Sequence, residues 1–179
     1  MVQLIKLLGN KNIIKTLSFF FRNPTKELSQ TKLLKQIKIA KATLIKWLRL
    51  LVDERVLLME KIGVTNLYKL NNDNNIVKYL KILFTISELE PLREISEKYS
   101  SFFYVYGSSA RGENVETSDI DLLIIGKPDK SGLTKDINNF SEKIKKEIKT
   151  QIFSEQEWSL MARKDPAFYE RIEKDKVKL

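Results

Sequence analysis

The sequence predicts an α+β protein in two parts: three helices and a β-hairpin first, then linker helices, then a small α/β sheet with flanking helices. Three observations predict it. Apolar residues recur at helical spacing three times before two short apolar runs flank a glycine turn. Beyond residue 100, two apolar runs rich in aromatic and β-branched residues precede a helix–strand–helix pattern. Charge divides the same way: residues 1–87 carry 16 Lys+Arg against 5 Asp+Glu (+11), and residues 88–179 carry 16 against 18 (−2). The boundary is therefore expected near Ser87, giving segments 1–87 and 88–179.

In order, Val2 to Leu8 places Leu4, Ile5, Leu7 and Leu8 in a short helix ending at Gly9. Ile13, Ile14, Leu17, Phe20 and Phe21 form a helical stripe that Asn23-Pro24 ends. Ser29 is a good N-cap for a helix containing Leu33, Leu34 and Ile37. After a break at Lys38 to Ala40, a helix over Lys41 to Arg55 carries Leu44, Trp47, Leu48, Leu51 and Val52 on one face. Its other face shows Lys41, Thr43, Lys46 and Arg49. Val56 to Met59 and Leu67 to Leu70 read as hairpin strands around a loop at Ile62 to Asn66.

Asn71 to Asn75 is a polar helix start, and Ile76, Tyr79, Leu80, Leu83 and Phe84 follow as a linker helix. Leu89 to Tyr99 reads as another, with Pro91 in its first turn. Phe102 to Tyr106 is a buried strand stopping at Gly107-Ser108-Ser109. Leu133 to Ile148 reads as an amphipathic helix with Ile137, Phe140, Ile144 and Ile148 inward. A strand at Ile148 to Phe153 and helices over Glu155 to Ala162 and near Asp165 to Lys174 complete a three- or four-stranded sheet with its cover.

The chain of 179 residues has no histidine and no cysteine. Zinc and soft-metal sites are left with almost no ligands, and a histidine base and a cysteine nucleophile are excluded, which leaves carboxylate oxygens suited to hard cations. Apolar runs fall far short of the ~20 residues that span a bilayer. A cytoplasmic protein with no membrane contact is expected.

The chemistry concentrates between Ser101 and Gly126. A glycine at a strand end lets the backbone approach a ligand, and a short helix from Ser108 would aim N–H groups at a phosphate. Asp119 and Asp121 alternate with Ile120 and Leu122, so both carboxylates take one face. Facing such a turn, they make a plausible seat for Mg²⁺ and a nucleoside triphosphate.

Gly107-Ser108-Ser109-Ala110-Arg111-Gly112 with Ser118-Asp119-Ile120-Asp121-Leu122 resembles the nucleotidyltransferase superfamily that includes DNA polymerase β, and most of all its minimal branch. The direct match covers about 25 residues, and its parts must fall in order between two apolar strands. The resemblance implies that Gly107 and Ser108 hold a triphosphate, with Arg111 and Ser118 beside them. Asp119 and Asp121 would hold Mg²⁺ or Mn²⁺ and do the catalytic work. The nucleotide would be an NTP, ATP by preference, whose AMP passes to a hydroxyl of a protein acceptor. The family carries a third carboxylate on a later strand. That strand reads Ile148-Lys149-Thr150-Gln151-Ile152-Phe153, with nothing acidic. Weak or absent turnover is therefore expected; an active enzyme of the antitoxin type is the alternative.

Three helices and a hairpin, the third helix basic, resemble a winged helix-turn-helix domain over about 60 residues. In that fold the third helix enters the major groove of double-stranded DNA. The resemblance assigns Lys41, Thr43, Lys46 and Arg49 to the groove and Lys38, Lys61 and Lys69 to phosphates. A DNA-binding transcriptional regulator, working as a homodimer on two half-sites, is the leading expectation.

Overall fold

A computed structural model describes residues 8–179; the helix expected over Val2 to Leu8 lies, but for its last residue, outside the described residues. The protein is mixed α and β with two sheets, and its contacts divide it into two compact units that part between Leu80 and Lys81.

In the first unit, helix α1 (Lys11–Arg22) begins where the Asn10 side chain accepts a hydrogen bond from Asn12 N. It buries Ile13, Leu17, Phe20 and Phe21. Strand β1 (Leu28–Ser29) runs into helix α2 (Gln30–Ile37), which Ser29 caps by accepting from Lys32 N. Lys38, in the left-handed region at φ 54°, turns the chain towards helix α3 (Lys41–Asp53). Leu44, Leu48 and Leu51 of α3 are wholly buried. Strands β2 (Leu57–Ile62) and β3 (Thr65–Leu70) pair antiparallel, and β1 joins the far side of β3, giving the order β1-β3-β2. Because Ile62 pairs with Thr65, the turn is only Gly63-Val64, tighter than the five-residue loop expected. Gly63 supplies the positive φ (+59°) that such two-residue turns need.

Helix α4 (Asn75–Leu89) follows, then α5 (Leu92–Lys98). Leu89 thus closes α4 rather than opening the next helix, whose N-cap is Pro91. Ser87, where the sequence suggested a boundary, lies inside α4.

The second unit is built on four strands in the order β6-β5-β4-β7. β4 (Phe102–Tyr106) leads through the one-turn helix α6 (Gly107–Ala110) to β5 (Ile120–Ile125), its antiparallel neighbour. Helix α7 (Lys130–Ile144) then returns the chain to β6 (Ile148–Phe153), parallel to β5. After α8 (Glu155–Lys164) and α9 (Pro166–Asp175), β7 (Val177–Lys178) pairs with β4. Ile148 belongs to β6 and not to the helix before it. Lys145 adopts a left-handed conformation (φ 55°), and Lys145 N and Lys146 N donate back to Glu142 O and Ser141 O, which closes the helix.

Alternation along the strands builds two cores. Phe103, Val105, Ile120, Leu122 and Ile124 pack with Leu92 of α5 and Leu133, Ile137 and Phe140 of α7. Leu123 and Ile125 take the other face with Trp158 of α8 and Ile172 of α9. Asp121, two residues before Leu123, therefore shares the face covered by α8 and α9.

Candidate functional site

The site lies where β4 ends and β5 begins, beside the Gly107 turn. Register sets it: Tyr106 pairs with Asp121 on one side, and Lys149 pairs with Asp121 on the other. Opposed residues in a sheet project to the same face, so Tyr106, Asp121 and Lys149 form a row across three strands. Asp119, just ahead of β5, joins them: Lys149 Nζ stands 2.5 Å from Asp119 Oδ2.

Gly107 fits this row for two reasons. Its φ of +71° favours glycine, and a Cβ there would lie 2.5 Å from Asp121 Oδ2. The backbone of the turn thus rests against the carboxylate. Ser108 is half-buried, its carbonyl accepting from Glu113 N at 2.8 Å. Ser118 Oγ accepts from Val115 N at 2.9 Å, a local turn that orients the entry to β5.

Burial pushes the Asp121 carboxyl above its ordinary value; the Lys149 charge opposes this, Asp119 adds to it, and Arg111 and Arg171 oppose it. Tyr106 is raised as well, by burial first and then by the Asp121 charge. Lys149 is raised by its hydrogen bond to Asp119, by the Asp119 charge and by Glu147. Arg111 is committed elsewhere, with Nε 2.8 Å from Glu113 and Nη1 2.9 Å from Asp175. An incoming phosphate would have to compete with both carboxylates for it.

Of the six residues the sequence points to, the structure brings Gly107, Asp119 and Asp121 together, while Ser108 and Ser118 serve local turns and Arg111 is held by Glu113 and Asp175. Sequence reasoning read Lys149 only as a residue that is not acidic, and it did not reach Arg171, Asp175 or Tyr106. A strand register across a helical crossover was the missing signal for Lys149.

A divalent ion is what the resemblance calls for, and the residues present do not fit one as a resident. Hard cations take several carboxylate or carbonyl oxygens. Here a single lysine, Lys149, is paired to Asp119 and also stands opposite Asp121 in the sheet. No group of three acidic residues that would hold a metal occurs among the described residues.

In the first unit, Lys41, Lys46 and Arg49 are exposed along α3, and none is ion-paired to a carboxylate among the described residues. Lys46 Nζ lies over the Trp47 ring at 5.0 Å. Thr43 is half-buried, whereas Lys38 and Lys61 are exposed. Lys69 is engaged with Glu27, 2.7 Å away. An open groove of about 820 Å³ runs beside the same helix, lined among others by Ile45, Lys46, Trp47, Arg49 and Leu50. No helix among the described residues is long and apolar enough to cross a membrane.

No curated protein matches the chain. A solved structure of a candidate nucleotidyltransferase from Sulfolobus solfataricus is similar over 57% of this chain and 85% of its own, at 21% identity. The TM-score between the two is 0.34. The model of the nucleotidyltransferase domain family matches residues 89–179, from the end of α4 through the whole of the second sheet. By that match, over half its length, the chain belongs to the nucleotidyltransferase domain family.

Proposed function

We propose that this is a DNA-binding transcriptional regulator in which a winged-helix unit is joined to a nucleotidyltransferase-fold domain whose transfer activity is weak or absent. The observation that carries the reading is the exposed cationic row on α3: Lys41, Lys46 and Arg49, one to two turns apart and unpaired with carboxylates among the described residues. Phosphate neutralisation needs such unpaired cations, and a groove-reading helix presents them beside its polar side chains. The three-helix and hairpin order supports the winged-helix reading, with Lys38 and Lys61 near the backbone of a duplex and Lys69 held by Glu27. A homodimer reading two half-sites is the corresponding assembly.

Nucleotidyltransferase domains generally use an NTP and a divalent metal. In this chain Gly107 and Ser108 form the turn that would face a triphosphate, ATP by preference. Asp119 and Asp121 lack the third carboxylate that would accept the proton of an attacking hydroxyl. Without it, the chain can orient a nucleotide but has no base in place to activate an acceptor.

Fluorescence anisotropy of the full chain on genomic DNA fragments tests the first half. Affinity should fall steeply with salt, and Lys46→Glu with Arg49→Glu should abolish it. Binding that ignores salt, or that survives the double reversal, overturns the DNA-binding reading. Labelled ATP with Mg²⁺ and candidate proteins tests the second half. Strong transfer that vanishes in Asp119→Asn with Asp121→Asn would instead establish an active, antitoxin-type enzyme that passes AMP to a protein hydroxyl.

A further inference from the structure

We propose that the Lys149 ammonium is the built-in cation of the site, standing where a nucleotidyltransferase domain would otherwise hold a divalent ion, and that this one side chain closes the site to such ions. The inference deepens the reading of the domain as weak or silent in transfer, and it rests on that reading.

Four observations converge on Lys149. Its position in β6 pairs with Asp121 of β5, so a residue there faces the acidic pair by register alone. Its Nζ reaches Asp119 Oδ2 at 2.5 Å, a charge-assisted contact of the short kind. The strand that should bring a third acid brings this lysine instead, with no acidic residue between Ile148 and Phe153. Finally, Asp119 and Asp121 act on each other electrostatically, so a positive charge beside them relieves a repulsion that a metal would relieve elsewhere.

A lysine on an edge strand often serves only to keep other strands from pairing there. An ammonium with that role points to water. Lys149 sets its ammonium against the Asp119 carboxylate while 59% of its side chain stays exposed, so the charge serves this pair as well as the solvent. The other charges around the row are Arg111, held by Glu113 and Asp175, Arg171 on α9, and Glu147 just ahead of β6. Only Lys149 among them is ion-paired to one of the two acids.

The test is a titration of the full chain with Mn²⁺ alone, without nucleotide or DNA, read by calorimetry and by the loss of free-ion electron paramagnetic resonance signal. The wild-type chain should show no saturable site. Lys149→Asp, which places a third carboxylate opposite Asp121, should gain one site with affinity raised on the order of tenfold or more. Adding Asp119→Asn to that variant should remove the gain. Wild-type binding as tight as that of Lys149→Asp overturns the inference, as does Lys149→Asp binding no tighter than wild type. Circular dichroism checks that the variant folds; should it not, Lys149→Gln decides, since removing the ammonium must then raise Mn²⁺ affinity, and no rise overturns the inference. Because no DNA or nucleotide is present, failure here leaves the DNA-binding result and the transfer assay to be judged separately.

Discussion

Gly107→Ala tests whether the turn and Asp121 are packed as described. At φ +71° an L side chain is strained, which costs about 1–2 kcal/mol. The new Cβ would also lie 2.5 Å from Asp121 Oδ2 and 3.4 Å from its Cγ. A carboxylate is the movable end of a side chain, so it swings away instead of forcing the backbone, at about 1 kcal/mol for the rotamer it must leave. Together the loss is about 2–3 kcal/mol from the second unit. The assay is guanidinium unfolding followed by Trp158 emission in a Trp47→Phe background, which leaves one tryptophan of two. Trp158 is buried among Phe153, Phe168 and Tyr169, so it reports this unit.

A double-mutant cycle separates the two contributions. With Asp121→Ala the nearest of these atoms left is Cβ, at 3.7 Å, so Gly107→Ala should then cost only the backbone part, about 1–2 kcal/mol. Gly63→Ala is the outside control: φ +59° and nothing within 4 Å of the added carbon. A loss below about 0.5 kcal/mol refutes the reasoning, because the positive φ alone should exceed it. So does a loss that Asp121→Ala leaves unchanged.

Two further expectations concern the same unit. Hydrogen bonds from Lys98 and Tyr99 hold the Asp136 carboxyl below its ordinary value. A lowered folded pKa stabilises above the unfolded value and is lost as pH falls through the folded one, so Lys98→Met should lower stability at neutral pH and flatten its fall in acid; denaturant midpoints between pH 7 and pH 2 check this, and an unchanged pH profile contradicts it. Phe103 is wholly buried against α5 and α7, so Phe103→Ala should cost about 3–5 kcal/mol by the Trp158 signal.

Much of the second sheet is legible in the sequence. Phe102–Tyr106 and Ile148–Phe153 stand as strands with the expected ends, because β-branched and aromatic runs bounded by Gly, Ser and Lys leave little choice. Helix ends are less legible. Ile144 and Ile148 sit at helical spacing, yet a left-handed Lys145 separates them, and lysine gives no sign of such a turn. Leu89 misleads for the same reason: its apolar side chain suits the end of α4 as well as the start of α5. β1 and β7 are two residues each, too short for any period to show.

The candidate site divides along another line. Gly107, Asp119 and Asp121 are close in sequence and stand out as a motif, whereas Lys149 meets them only through the parallel pairing of β6 with β5. Lys69 illustrates the same gap: nothing local tells that Glu27, 42 residues away, engages it.

The parallel pairing of β5 with β6 also bears on how the domain comes together. β4 and β5 are neighbours along the chain and can zip early, which brings both acids to one rim. The Lys149 amine that pairs with Asp119 belongs to β6, an edge strand that reaches β5 only by way of α7. During synthesis from the N-terminus, both acids are therefore made before the lysine that faces them.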